Sequence, residues 1–412
     1  MLTRRQFFQR SAVVGTAATI APTFLWRAKV AQGSSEGAPA AAPVDRTLVI
    51  VQMAGGNDAL NMVVPYQDGA YHSARPTLGI DPATALPLTD QLALNPVMGG
   101  LKQVWDNRQL AIVEGVGYPQ PSFSHFNSMA IWHTASPTGD FKDGWLGRFF
   151  AQSGAASNVL FGGINIGSAL AGSFSEPGIT IPSIQSPDSY KLVLDPRDAQ
   201  ARLEAWEDLQ VAAQARQAYL PLIGTTGLNA FKSGQALGKT VGSYQPAVTY
   251  GKDPLSNGLR LLASVIVQEP GTKIGYVTIG GWDTHTNERR TQDGLLTTLS
   301  EALANFQTDI AAHGKADNVL LMTWSEFGRR IQENGGQGTD HGEAVSMMVM
   351  GSKVSSGIYG ELPDLKNPVD SGNLKWTTDF RSVYATVLED WLGVDSSKIL
   401  GGRYQHIPFL AA

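Results

Sequence analysis

The sequence predicts an α/β protein with a mainly parallel central sheet and helices on both faces. Three observations carry this expectation. Short apolar runs of strand type recur along the chain, stripes at helical spacing lie between them, and polar side chains able to do chemistry follow the strand ends. In open sheets of this class, ligands bind beyond the carboxyl ends of the strands, so the third observation bears on function as well as fold.

The first strand is expected over residues 46–53, where Leu48-Val49-Ile50-Val51 is a run of the kind buried in parallel sheets, and it runs into Ala54-Gly55-Gly56-Asn57-Asp58. A second spans 109–114 and leads through a glycine- and proline-containing loop to Ser122-Phe123-Ser124-His125-Phe126, then to a helix ending near His133. A third covers 273–279, followed by Gly280-Gly281-Trp282-Asp283-Thr284-His285. A fourth, 318–323, ends in Trp324-Ser325-Glu326-Phe327-Gly328-Arg329, and a fifth, 346–350, comes after Gly338-Thr339-Asp340-His341-Gly342. Leu295, Leu299, Leu303, Phe306 and Ile310 form one helical stripe. Phe380, Val383, Tyr384, Val387, Leu388, Trp391 and Leu392 form another, with Gly393 as its stop. Residues 151–270 differ in texture, with Gly/Ser/Pro-rich loops and helices at 196–218 and 255–267. They are expected to be an insertion or cap on a main domain covering 46–412.

With 412 residues the chain can bury a substantial core. A net charge of −5 and the lack of a basic block after the N-terminus argue against nucleic acid as a partner. The absence of cysteine excludes disulfides, thiolate catalysis and Cys-based zinc sites, and fits an oxidising compartment. Residues 1–31 read as an address: Thr3-Arg4-Arg5-Gln6-Phe7-Phe8 resembles a twin-arginine export signal, and residues 11–26 are uncharged but poorly suited to spanning a membrane. Residues 32–45 suit a flexible linker, with cleavage open among Ala31, Gly33 and Ala40. The alternative is an uncleaved amphipathic anchor. The expected location is periplasmic or secreted, with the twin-arginine machinery as a partner and no stable membrane span after processing.

The chemistry is expected at the strand ends. Asp283 and His285 follow a strand and two glycines, and Asp and His are common oxygen and nitrogen ligands of divalent ions. Asp340 and His341 lie in the glycine-rich segment 335–342, as ligands or as a solvated tip. Asp58 reads as a ligand or a helix N-cap, and Ser124 as an attacking hydroxyl or an N-cap with His125 beside it to orient or deprotonate it. Glu326 reads as a ligand or as the partner of Arg329. Residues 234–240 miss the spacing of a phosphate-binding loop, and neither a Gly-x-Gly-x-x-Gly after the first strand nor a Gly-x-Ser-x-Gly elbow is present.

Several of these stretches together resemble the bacterial family catalogued as domain of unknown function 1501. They are residues 51–61 with Val64-Pro65-Tyr66, Ser124-His125-Phe126, Gly144-Trp145-Leu146-Gly147-Arg148, Gly281-Trp282-Asp283-Thr284-His285, Ser325-Glu326-Phe327-Gly328-Arg329 and Thr339-Asp340-His341-Gly342. The resemblance covers roughly residues 46–410 and implies twin-arginine export and an alkaline-phosphatase-like fold in the alkaline phosphatase and sulfatase superfamily. That superfamily uses two divalent metals and a Ser, Thr or modified Cys nucleophile. Carried over, Asp58 matches the first-strand ligand, Ser124 the nucleophile, and Asp283 with His285 one metal's pair. The second metal takes either Asp340-His341, or Glu326 with His341 returning to the first metal. In the latter case Phe327 stands where a His ligand is expected. The expectation is therefore an exported hydrolase of phosphate or sulfate esters using Zn, Mn, Mg or Ca, with a small-molecule or envelope ester as substrate. The alternative is a non-catalytic exported binding or assembly protein on a degenerate hydrolase fold.

Overall fold

Alternation along the first strand sets the layers of the molecule. In the structure, a computed structural model that describes residues 46–155, 159–190, 198–214, 220–370 and 372–410, strand β1 (Thr47–Ala54) sends Val49, Val51 and Met53 to one face and Leu48 and Ile50 to the other. The expected leader and linker, residues 1–45, lie outside the described residues.

Apart from a small separate sheet of Val63–Val64, Leu86–Pro87 and Ala93–Leu94, the other strands follow in chain order as β2 (Leu110–Gly117), β3 (Gly163–Ile166), β4 (Ser183–Ile184), β5 (Ile274–Gly280), β6 (Val319–Trp324), β7 (Arg329–Glu333), β8 (Thr339–His341), β9 (Val345–Met350), β10 (Gly357–Tyr359) and β11 (Thr378–Asp379). Nine of them build the central sheet in the order β10-β2-β9-β6-β1-β5-β3-β4, with β11 added to β2. β1 pairs in parallel with β5 and β6, and β3 in parallel with β5 and β4. Within the central sheet, among the described residues, only β9 runs against its neighbours, β2 and β6. The sheet is therefore mainly parallel, as expected. The reversal of β9 has a consequence for the site. The residues that precede an antiparallel strand emerge at the edge where its parallel neighbours end, so β7 and β8 fold as a separate hairpin over that edge.

Helices cover both faces. One face packs α1 (Gly99–Asp106), α6 (Pro254–Gln268) and α7 (Glu288–Ala312) through Leu101, Leu259, Leu299, Leu303 and Phe306. The other packs α2 (His125–Thr134), α3 (Trp145–Ser153) and α8 (Phe380–Thr386) through Trp132, Trp145, Phe149 and Tyr384. The second stripe continues from α8 through a π-type turn, Val387–Trp391, and stops where Gly393 takes a left-handed φ of 71°.

The stretch 151–270, expected as an insertion or cap, is only partly peripheral. β3 and β4 extend the central sheet, α6 lies against its face, and α4 (Ala199–Gln214) with α5 (Leu220–Ser243) pairs outside it. The near-miss for a phosphate loop at 234–240 is simply part of α5. No helix among the described residues is long and apolar enough to cross a membrane.

β2 carries one acid that titrates unusually. Glu114 is buried, and burial pushes its carboxyl up to about 7 although the Ser346 hydroxyl donates to Oε2 at 2.8 Å. A raised acid favours the fold when protonated. This contribution is fully present below the unfolded value of about 4.3 and is lost as pH rises through about 7, a difference of about 4 kcal/mol. Urea denaturation of wild type and Glu114→Gln at pH 5 and pH 8 is expected to show the variant gaining relative to wild type at the higher pH. A constant gap would refute the assignment.

Candidate metal centre

The site begins with two glycines that only glycine fits. Gly55 and Gly56, at the end of β1, have φ of +128° and +76°, in the left-handed region. A Cβ on Gly55 would lie 2.6 Å from the Asp283 nitrogen, and one on Gly56 would strike the Phe327 ring. The loops after β1 and β5 can approach each other closely because of this.

Arg329, at the start of β7, fastens them together. Its side chain is fully buried. Nε donates to Gly56 O at 2.6 Å and Nη1 to Thr339 O at 2.9 Å. Nη2 faces Gly55 O, Trp282 O and the Asp283 Oδ1 at 2.6, 2.9 and 2.8 Å. One planar guanidinium thus holds the loops after β1 and β5 and the start of β8, and supplies the positive charge beneath Asp283.

Around Asp283 three imidazoles converge. His285 Nε2 and His341 Nε2 lie 3.0 and 3.1 Å from Asp283 Oδ1 and 3.0 Å from each other, and His125 Nε2 lies 3.4 Å from Asp283 Oδ2. Donor atoms of His125, Asp283 and His341 all fall within 4.8 Å of one another.

The other ring nitrogens are committed. His125 Nδ1 is 2.8 Å from Glu326 Oε1, an atom that also accepts the Gly55 N–H and so takes the imidazole proton as an acceptor. His341 Nδ1 donates to the Phe123 carbonyl at 2.8 Å, and His285 Nδ1 faces Asp340 Oδ1 at 3.3 Å. With each Nδ1 facing an oxygen acceptor, the Nε2 atoms of His285 and His341 are left facing Asp283 Oδ1 and that of His125 facing Asp283 Oδ2.

Burial works against ionisation of Asp283, but hydrogen bonds from Arg329 and His341 and the Arg329 charge outweigh it and hold the carboxyl at about 2. Burial, together with Arg329 and His125 nearby, lowers His341 below the ordinary imidazole value despite its bonds to Asp283 and Phe123. The Asn334 amide, with His285, keeps Asp340 below the carboxylate range.

This donor set fits a divalent cation. Bonds of about 2.0–2.1 Å put adjacent ligand atoms roughly 3.0–3.4 Å apart, the spacing found among Asp283 Oδ1 and the Nε2 atoms of His285 and His341. Two facing nitrogen lone pairs at 3.0 Å repel unless a cation or proton lies between them. Histidine ligands commonly donate their second N–H to a carboxylate or carbonyl, and each of these three does so. Glu326→Gln is expected to weaken metal affinity by about 10–100-fold while leaving all four donors present, as a chelator-competition titration would read. Unchanged affinity would remove Glu326 from the centre.

The structure redistributes the roles expected of these residues. Asp283, His285 and His341 come together as expected, and His125 joins them, with Nε2 3.4 Å from Asp283 Oδ2. Glu326 stands behind His125 with its side chain fully buried, and Asp340 stands behind His285. Glu326 does not pair with Arg329, whose carboxylate partner is Asp283. Asp58 is not brought to the cluster. It is the N-cap residue of Ala59–Met62 with no side-chain cap bond, and both its oxygens are held by Arg75 in a fully buried ion pair. Burial opposes the charge on Asp58, but Arg75 prevails and keeps the carboxyl low. Glu288 beside it is pushed up to about 9 by burial and by the Asp58 charge. Ser124 occupies the N-cap position of α2, exposed and without a side-chain cap bond, between Phe123, which holds His341, and His125.

Phe327 packs against His125 and His341 with ring centroids 4.8 and 4.4 Å away and closes the floor of the site. Arg75 and the clamp formed by Arg329 went unread in the sequence. Nothing local marks Arg75, and the only cue to Arg329 was its place just after a strand-end acid.

The model of the family described as "Protein of unknown function (DUF1501)" matches residues 191–404. Among curated proteins no match is found. Among solved structures, Ps i-CgsB in complex with k-i-k-neocarrahexaose is 10% identical with a TM-score of 0.38, over 88% of this chain and 73% of that one. The C-terminal periplasmic domain of EcEptC from Escherichia coli, in complex with Zn, is 10% identical with a TM-score of 0.36, over 77% and 78%. The PsFucS1 sulfatase from Pseudoalteromonas sp. is 9% identical with a TM-score of 0.38, over 86% and 68%.

Proposed function

The chain belongs to the family described as protein of unknown function (DUF1501), and on that premise we propose that it is an exported hydrolase of phosphate or sulfate esters that works with a single divalent ion. The observation that carries this reading is the clustering of His125, Asp283 and His341 donor atoms within 4.8 Å of one another, with His285 Nε2 3.0 Å from Asp283 and Arg329 behind them. His125, Asp283, His285 and His341 would hold the ion. A set rich in imidazole suits zinc better than calcium or magnesium, which prefer oxygen ligands. Such an ion, when bound, supplies Lewis acidity toward an ester oxygen.

The chain's own groups divide the remaining work. Ser124, exposed at the start of α2, attacks phosphorus or sulfur through Oγ as the bond to the ester's alcohol breaks, and its hydroxyl proton leaves with that alcohol. Water then cleaves the serine ester and restores the hydroxyl, so ester plus water yields alcohol plus phosphate or sulfate. Glu326, Asp340 and the Phe123 carbonyl keep the three imidazoles in their ligand tautomers, and Phe327 excludes water from below.

The experiment is metal analysis of the purified protein, followed by a screen of aryl phosphates and sulfates with added Zn, Mn, Mg and Ca. The expected results are about one ion per chain and turnover that drops by a thousandfold or more in Ser124→Ala with the metal retained. A metal-free protein with no affinity for any of the four ions would defeat the proposal. Unchanged turnover in Ser124→Ala would remove the nucleophile alone.

One observation favours a second reading. With both Asp58 oxygens spent on Arg75, the two-ion arrangement expected of an ester hydrolase lacks a ligand. A non-catalytic binding or assembly protein would keep such a remnant. It predicts tight metal binding with no turnover of any ester.

A further inference from the structure

We propose that Phe123 and Phe126 form an aromatic rim that receives the alcohol side of the substrate, and that this alcohol carries a ring with a flat apolar face. The inference rests on the ester-hydrolase reading and adds a substrate class to it. Of the described residues only Phe123, Phe126, Leu209 and Leu362 are large, apolar and exposed, and two of those four bracket the metal donor His125. Phe126 is 84% exposed and Phe123 42% exposed. Neither belongs to any of the three apolar clusters or makes a ring contact among the described residues.

Their position is set by bonds already described. Phe126 follows His125 directly, so its Cα is about 3.8 Å from that of a donor. Phe123 gives its carbonyl to His341. Both residues therefore lie on backbone that also carries or holds a metal donor, and both rings face solvent.

Other occupants fit less well. An anionic membrane surface would need cationic neighbours, and residues 118–130 contain no Lys or Arg in a chain of net charge −5. A protein partner would need an apolar patch of several hundred Å², more than two rings on one turn provide. A single planar group stacked on one or both rings matches the size and chemistry of the rim. An aryl group and the face of a sugar ring share that chemistry.

The test uses the full zinc-loaded chain and titration calorimetry with phenylphosphonate, methylphosphonate and glucose 6-phosphate. Phenylphosphonate is expected to bind about tenfold more tightly than methylphosphonate. In Phe123→Ala/Phe126→Ala this preference disappears with zinc content the same. Matching rim-dependent tightness for glucose 6-phosphate would identify a sugar ring as the source, and its absence an aryl group. Equal binding of the two phosphonates to wild type, or a preference that survives the double substitution, would overturn the rim and leave the hydrolase reading standing. If wild type binds neither phosphonate, the hydrolase reading falls and takes the rim with it. Sedimentation with phosphatidylglycerol vesicles that is lost in the double variant would also overturn the proposal, because the rings would then be a membrane contact.

Discussion

Replacing Arg329 by methionine is expected to lower the free energy of unfolding by about 3–5 kcal/mol and to dismantle the metal centre with it. Methionine fills much of the volume but donates nothing. The carbonyls of Gly55, Gly56, Trp282 and Thr339 would then lose buried partners, each worth about 1–3 kcal/mol when left unsatisfied. Asp283 would lose the nearest cation holding its carboxyl at about 2. The loops it joins are far apart in the chain, and the few backbone bonds between them, Trp282 N to Ala54 O at 3.4 Å and Thr339 N to Thr284 O at 3.2 Å, do not satisfy the carbonyls the guanidinium holds. Urea denaturation measures the loss and chelator competition measures the ion. A cost below about 1 kcal/mol, typical of an exposed pair, would show that Arg329 is not the clamp described.

The second large effect is expected in Asp283→Ala/His341→Ala. Wild-type protein at a zinc concentration about a thousandfold above its dissociation constant should be stabilised by about 4 kcal/mol, and the double variant by almost nothing. Both substituted side chains are partly exposed, Asp283 by 47% and His341 by 20%, so the apo variant should fold. The difference between thermal midpoints with and without zinc then reports on the site alone. A variant that keeps its zinc-dependent shift would place the ion elsewhere.

Much of this architecture was legible because burial writes itself as apolar runs. β1, β2, β5, β6 and β9 are each such a run. α7 keeps a strict stripe from Leu299 to Ile310 that is fully buried in the fold. β3 and β4 were hidden because four residues, Gly163-Ile164-Asn165-Ile166, and two more at Ser183-Ile184 are too short to show a period. α5 was hidden by its glycines at 224, 227, 234, 238 and 242, which are poor helix formers whatever surrounds them.

At the site the positions were readable and the roles were not. Whether a histidine is a ligand or a base depends on which nitrogen is already occupied. His125 is decided by Glu326, 201 positions away. Asp58 stayed open between ligand and N-cap for the same kind of reason, since only the fold brings Arg75 across to take both of its oxygens.

The reversed strand β9 also bears on when an ion can enter. It brings His341 back to a loop 218 positions earlier in the chain, where Phe123 meets it. A contact that distant forms only after the sheet has largely assembled, because closing so long a loop carries its full entropic cost before any ligand bond exists. On the proposed reading, an ion bound there would act as a latch rather than a seed. It should slow the escape from the native state while leaving the speed of folding untouched, unlike small domains in which metal and fold arrive together.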